Sequence, residues 1–242
     1  MKLTSPSRTG ILLRRYKRFL ADVRLEDGTL LTVHCPNSGS MLGCSTPGST
    51  VCISRSENPR RKYPWTLEMV RENNTWIGVN TARTNILVRE ALENRTIVEF
   101  GDIDEIVPEI RVSERSRLDF LLRTADRNIY MEVKNCSLAM DGVAMFPDAV
   151  TARGTRHLQE LERLLAAGHE AALIFCVQRM DAERFAPAAG IDPIYARTLA
   201  RVHDQGLTVL ACRATVGPQE IRIIGKIPLD TRWHGNKPGG GS

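Results

Sequence analysis

Asp119, Glu132 and Lys134 are the residues of this chain whose types and spacing can do chemistry. Asp119 sits in an apolar run, Leu118 to Leu122, and Glu132 and Lys134 flank Val133 in a second, Ile129 to Lys134. Strand side chains alternate with period two, so Glu132 and Lys134 share one face while Ile129, Met131 and Val133 share the other, which reads as core. Between the runs lies a polar turn, Thr124-Ala125-Asp126-Arg127-Asn128. A turn centred between Ala125 and Asp126 puts Asp119 opposite Glu132 across a hairpin. Two carboxylates and a lysine then converge on one patch. Carboxylate oxygens suit a hard divalent cation, Mg²⁺ or Mn²⁺. A lysine beside them can position or activate water and stabilise charge on a reacting phosphate. A solvated hairpin face with a cross-strand ion pair carries the same three residues, so the surrounding elements decide between the readings.

Those elements follow in an informative order. Asn80 to Thr96 reads as a helix with Ile86, Leu87, Ala91 and Leu92 on its apolar stripe, and Asn80 or Thr81 can cap it. Glu90, four residues after Ile86, lies at the edge of that stripe and can reach toward the sheet. A short strand near Val107 to Val112 precedes the hairpin. A long helix, Thr151 to Ala167, carries Leu158, Leu161, Leu164 and Leu165 as its apolar face. Ala171 to Val177 is a continuous apolar run suited to a buried strand. Asp192 to Gln205 is helical and Leu207 to Ala211 is a last buried strand. The Asp–x12–Glu–x–Lys spacing on a hairpin, in the order helix, three strands, helix, strand, helix, strand, resembles the PD-(D/E)xK nuclease superfamily. On that reading Glu90, Asp119 and Glu132 hold the metal and Lys134 assists the attacking water. Arg153 and His157, four apart at the start of the long helix, share a face expected to lie away from the leucines. A guanidinium and an imidazole there strengthen the anion preference of a helix N-terminus. A polar surface face explains the same spacing equally well.

Charge is unevenly distributed. The chain is +5 overall, but residues 1–79 hold 12 Lys+Arg against 6 Asp+Glu, so all of the net positive charge lies in the first third. Arg14, Arg15, Tyr16, Lys17 and Arg18 form one cluster of cations with an aromatic; Arg60, Arg61, Lys62 and Tyr63 form another. Cations contact phosphates and aromatics stack on unpaired bases. The same third reads as all-β, with one or two strands in 11–25, then Leu30 to His34, Val51 to Ser54, Trp65 to Val70 and Trp76 to Val79, separated by turn signals such as Asp27-Gly28. Five short strands suit a small barrel of the OB type, which binds single-stranded nucleic acid. The segment containing Asn37 and Ser38 has the small polar residues that cradle a phosphate, and also those any barrel turn requires.

Several blocks together are more specific. Arg15-Tyr16-Lys17-Arg18-Phe19-Leu20-Ala21-Asp22-Val23, His34-Cys35-Pro36-Asn37-Ser38-Gly39-Ser40-Met41, Arg61-Lys62-Tyr63, Val79-Asn80-Thr81, Glu114-Arg115-Ser116-Arg117-Leu118-Asp119-Phe120, Glu132-Val133-Lys134, Phe146-Pro147-Asp148-Ala149-Val150-Thr151, Arg153-Gly154 and His157-Leu158 occur in this order. In them the chain, from about residue 8 to residue 228, resembles the bacterial sugar fermentation stimulation protein family. The resemblance implies an OB-like β-barrel at 1–79, a PD-(D/E)xK restriction-endonuclease-like α/β (α+β) domain at 80–230, and DNA binding. It also implies a link to sugar (maltose) metabolism that no residue explains. Residues 231–242 read as a flexible tail.

The remaining bounds are exclusions. No apolar stretch approaches the roughly 20 residues of a membrane span, and no signal-peptide core follows Met1. The six cysteines form no Cys-x-x-Cys pair, so zinc and disulfide frameworks are disfavoured and a cytoplasmic setting fits. Two functions from different classes stand: a metal-dependent nuclease acting on DNA, RNA or single strands, and a non-catalytic, largely sequence-nonspecific DNA-binding regulator. A structural barrel for a protein partner leaves the carboxylates and lysine unexplained.

Overall fold

The computed structural model describes residues 1–3, 7–114 and 116–230. The expected flexible tail, 231–242, and Arg115 of the quoted block lie outside the described residues.

The first strands are β1 (Ser7–Tyr16), β2 (Leu20–Leu25), β3 (Leu30–His34), β4 (Thr50–Arg55), β5 (Trp65–Glu72) and β6 (Thr75–Gly78). They lie in the order β3-β2-β1-β4-β5-β6, and a further pairing of β3 with β5 at His34 and Thr66 closes the first five into a barrel. Alternation does this: Leu12, Val23, Val33, Val51, Ile53 and Leu67 point inward and are fully buried. The single long segment 11–25 resolves into two strands because Lys17 and Arg18 both adopt positive φ, 49° and 63°, and reverse the chain.

The second domain starts with a 3-10 turn, Thr81–Arg83, capped by the Asn80 side chain, which accepts from Ala82 N at 3.1 Å. Then come α1 (Thr84–Glu93), β7 (Glu105–Arg111), β8 (Arg117–Arg123), β9 (Asn128–Cys136), β10 (Leu138–Met140) and β11 (Val143–Phe146). They are followed by α2 (Ala152–Ala166), β12 (Glu170–Val177), β13 (Arg184–Pro187), α3 (Pro193–Asp204), β14 (Thr208–Val216) and β15 (Ile221–Ile227). The main sheet runs β15-β14-β12-β9-β8-β7. Its centre, β9-β12-β14, is parallel, and its outer strands are antiparallel. A parallel centre must be covered on both faces. Leu87, Val88, Ala91 and Leu92 of α1 cover one with Leu122, Met131, Val133 and Ile174. Leu158 and Leu161 of α2, with Tyr195 and Leu199 of α3, cover the other with Leu173, Phe175 and Val177. That double coverage is why β12 is buried along almost its whole length.

Three features differ from the sequence reading. Strands β10, β11 and β13 form a small second sheet where no strands were expected. The last strand is followed by a partner, β15, that hairpins back on β14. Ile86 is exposed on α1, not part of its apolar stripe, which is Thr84, Leu87, Val88, Ala91 and Leu92.

Candidate nuclease-type site between the two domains

The hairpin sets the site. β8 and β9 pair Leu122 with Ile129, Leu121 with Tyr130 and Phe120 with Met131, so Asp119 and Glu132 occupy the next rung. There the ladder opens. The Asp119 carboxylate takes the Val133 N–H at 2.8 Å, and its other oxygen accepts from Asn85 Nδ2 of α1, also at 2.8 Å. Glu132 is 3 % exposed, with Oε1 hydrogen-bonded to both Lys134 Nζ and His157 Nδ1. Glu132 Oε2 is buried and without a hydrogen-bond partner among the described residues. Burial and then the Glu132 charge push the Asp119 carboxyl above its ordinary range. Burial pushes Glu132 up as well, but the Lys134 charge and the His157 hydrogen bond together outweigh it, and its carboxyl lies below the ordinary value.

His157 differs from expectation. It lies four residues before Leu161, on the leucine side of α2, and is 7 % exposed. Arg153 Nε donates to its Nε2 at 3.4 Å, which makes Nε2 the acceptor and places the ring proton on Nδ1, toward Glu132. Thr151 fixes the helix start by accepting from Gly154 N at 3.0 Å, while its own N–H donates to Asp192 at 2.8 Å. A Cβ on Gly154 would lie 3.1 Å from the buried Tyr195 ring and 2.8 Å from Thr151 Cγ2. A glycine here lets α2 seat close to Thr151 and Tyr195, and α2 carries His157 to Glu132.

Glu90 is a correction. It does not line the cleft that contains Asp119 and Glu132; its carboxylate pairs with the Met1 α-amino group at 2.6 Å. Glu90 follows the exposed Ile86 by one turn, so it shares that side of α1, whereas Asn85 faces Asp119. Sequence reasoning passed over Asn85, and also Glu109, which lines the same cleft with φ of 55° and pairs with Arg117 at 2.8 Å.

The site opens into a cleft of about 700 Å³ between the domains. The barrel contributes Arg18, Asn37, Ser38 and Gly39; the second domain contributes Asp119, Glu132, Lys134, Asp148, Arg153 and His157. The joint beside it is tight: Met41 N donates to Asp148 Oδ2 at 2.8 Å, and a Cβ on Gly39 would lie 2.7 Å from both Asp148 oxygens.

The basic residues divide into those spent on structure and those free to meet a ligand. Arg15 donates to the carbonyls of Arg18, Asn37, Gly39 and Ser40, so it knits the loop rather than facing outward. Arg14 lies over Tyr16 and pairs with Asp22 at 2.8 Å, and the Tyr16 hydroxyl donates to Asp22 as well. Asn37 is buried and holds Gly39 N and Val79 O. Arg61 donates to Thr66 and His34. Lys62 lies over Tyr63. Lys17, Arg18 and Arg60 are exposed. All six cysteines are buried free thiols, with burial pushing Cys44 up to about 12 and Cys52 up to about 11. None is poised as a nucleophile. No described helix is long and apolar enough to cross a membrane.

An OB barrel followed by an α/β domain with acidic residues and a lysine at the end of a central hairpin defines a class: a barrel fused to a restriction-endonuclease-like domain. Residues 13–79 match the family model described as the SfsA N-terminal OB domain, and residues 82–220 match that of the sugar fermentation stimulation protein RE domain. The chain belongs to the sugar fermentation stimulation protein family. It is 55 % identical to a homologue from Desulfotalea psychrophila over 88 % of this chain and 90 % of that one. It is 52 % identical to one from Pelobacter propionicus over 93 % and 97 %. Among solved structures, SfsA of Pyrococcus furiosus in complex with Ca²⁺ superposes with a TM-score of 0.87 at 26 % identity, covering 95 % of this chain and 99 % of that one.

Proposed function

We propose that this chain hydrolyses phosphodiester bonds of nucleic acid, DNA foremost, with Mg²⁺ or Mn²⁺ held by Asp119 and Glu132. The observation that carries the reading is Glu132 Oε2: a buried carboxylate oxygen without a hydrogen-bond partner among the described residues, beside Asp119 and opening on an interdomain cleft. An orphaned buried anion oxygen is costly unless a cation completes it, and a pair of carboxylates is the donor set a hard divalent ion takes. The similar Pyrococcus furiosus structure was solved with Ca²⁺, a hard ion of the same preference. A bound divalent ion would supply an acidified water and charge relief on a phosphate oxygen.

The chain's own groups do the rest. Lys134 Nζ, held against Glu132, stands within reach of a phosphate or water placed in the cleft. His157, with its proton on Nδ1, fixes the Glu132 carboxylate, and Arg153 fixes His157. Asn85 and the Val133 N–H orient Asp119. Arg18, Lys17, Arg60 and Lys62 on the barrel draw the polyanion to the cleft. The test is Mn²⁺-dependent degradation of single- and double-stranded DNA and RNA by rigorously purified protein, with and without chelator. Chelator-sensitive cleavage lost in Asp119→Ala supports the reading. Tight DNA binding with no cleavage of any substrate replaces it with that of a DNA-binding regulator.

A further inference from the structure

A second cleft adjoins the first. It has a volume of about 490 Å³ and lies on the barrel beside α1. Its lining includes Pro36 and Ala82, and the lining of the interdomain cleft includes Asn37, Thr81 and the same Ala82. The two therefore meet at Ala82, an exposed residue of the 3-10 turn.

The groups around the second cleft are prepared for an anionic polymer. Arg61 donates through one nitrogen to Thr66 Oγ1 at 3.0 Å and through the other to His34 Nδ1 at 3.1 Å, so its guanidinium plane is fixed. Burial and then the Arg61 charge hold His34 below its ordinary value, which keeps the ring able to accept that bond. Arg55 is exposed at the end of β4, paired through its backbone with Trp65, and its side chain has no hydrogen bond or ion pair among the described residues. Glu68 is at the floor, but its charge is fully engaged: Ser54, Asn80 and Arg83 all donate to it. Asn58 and the exposed Glu57 complete the rim. Neither arginine has a role in the site around Glu132.

We propose that the cleft around Arg55 and Arg61 is a subsite for single-stranded DNA continuing out of the interdomain cleft across Thr81 and Ala82. It rests on the phosphodiester reading above and extends it to the strand beside the reacting phosphate. A small ligand would occupy one cleft alone; a flexible strand bridges both, because their walls are shared. Unpaired bases and a freely rotating backbone let a single strand follow the turn at Ala82, which a stiff duplex of about 50 nm persistence length does not. Glu57 opposes this charge and works against affinity at the rim.

The experiment measures affinity of the full chain for a ladder of oligothymidylates from about 4 to about 20 nucleotides, bracketing the roughly 4–16 nucleotides an OB barrel covers, in Ca²⁺. In wild type, affinity rises with length until both clefts are filled. Arg55→Ala/Arg61→Ala should leave the shortest oligonucleotide unaffected and weaken the long ones roughly tenfold or more. It should also flatten the salt dependence of long-oligonucleotide binding by about 1.4 log units per log unit of salt, at ~0.7 per lost phosphate contact. Arg55→Ala alone disturbs no described contact and guards against a folding artefact; it should give about half that change in slope. Glu57→Gln should tighten the long ladder only. Equal losses for short and long strands, or losses matched by Arg24→Ala, an exposed barrel arginine lining neither cleft, overturn the subsite while wild-type cleavage leaves the nuclease reading standing. Absence of binding at every length overturns the subsite, while the cleavage assay on duplex DNA decides the nuclease reading separately.

Discussion

Asn85 on α1 donates its amide to Asp119 Oδ1 on β8 at 2.8 Å, and by this bond the first helix touches the carboxylate cluster. The hydrogen bond stabilises the ionised form of a carboxyl that burial pushes up. Asn85→Ala should therefore weaken Mn²⁺ binding severalfold, and Asp119→Ala should abolish it. Glu90→Ala should leave Mn²⁺ affinity at the wild-type value, because that carboxylate serves Met1. Titration calorimetry separates the three. Equal loss in Glu90→Ala and Asn85→Ala would return Glu90 to the site.

Lys134 stands beside Glu132, where it can stabilise a reacting phosphate or water in the cleft. Lys134→Ala should leave DNA affinity within about twofold, since one partly buried lysine adds little to a basic surface. It should cut Mn²⁺-dependent cleavage by about 10²-fold, the scale of removing one positioned stabiliser. A gel assay of linear and plasmid DNA beside a filter-binding curve reads both numbers. Unchanged cleavage would make the lysine a mere counter-ion of Glu132.

Arg15 and Arg18, three residues apart, should behave oppositely. Arg15→Ala strips donors from three carbonyls of the 37–40 loop and from that of Arg18, and should cost about 2 kcal/mol of stability in urea unfolding. Arg18→Ala loses no side-chain bond among the described residues and should be stable within about 0.5 kcal/mol. Yet it should bind DNA more weakly, because Arg18 lines the cleft.

Much of this architecture was legible in the sequence, for definable reasons. The hairpin register followed from two apolar runs around a polar turn, and Phe120 does face Met131. β12 announced itself because a strand covered on both faces has no polar alternation to hide it. Glu90 is hard to place from sequence because Ile86 reads as core: an isolated isoleucine and a stripe of Leu87, Val88 and Ala91 differ by one residue in phase, and one residue is 100° of helix. His157 was expected on the outer face for the same reason, though its four-residue spacing to Leu161 already put it on the leucine side. Arg15 and Arg18 read alike because a basic run does not say which guanidiniums the chain's own carbonyls will claim. β10, β11 and β13 are too short for a period to show, and β11 pairs with β13 across about 40 residues of sequence.

Gly154 tests how the helix is placed. A methyl group there must displace either the Thr151 cap or the fully buried Tyr195. Gly154→Ala should cost about 1–3 kcal/mol from overpacking, despite alanine's better helix propensity. It should also lower cleavage, because α2 carries Arg153 and His157. A variant more stable than wild type would show that the helix shifts freely.

Asp22 offers a pH test remote from the metal cluster. Burial pushes its carboxyl up, but hydrogen bonds from Arg14, Thr32 and Tyr16 together pull it below the ordinary 3.8. A depressed folded-state value means that the unfolded chain binds the proton more tightly. The stabilisation is thus present in full above that ordinary value and is lost as pH falls through the lower folded one. Asp22→Asn removes the charge while keeping the shape. At neutral pH it should be less stable by about 1 kcal/mol, the scale of a partly exposed charged hydrogen-bond cluster. As pH falls through the lowered folded-state value the gap to wild type should shrink toward zero, because Asp22 itself becomes neutral. Urea unfolding of both proteins at a series of pH values reads the difference directly, and a gap that stays constant into acid would show that packing, not the carboxylate charge, holds β1, β2 and β3 together at this point.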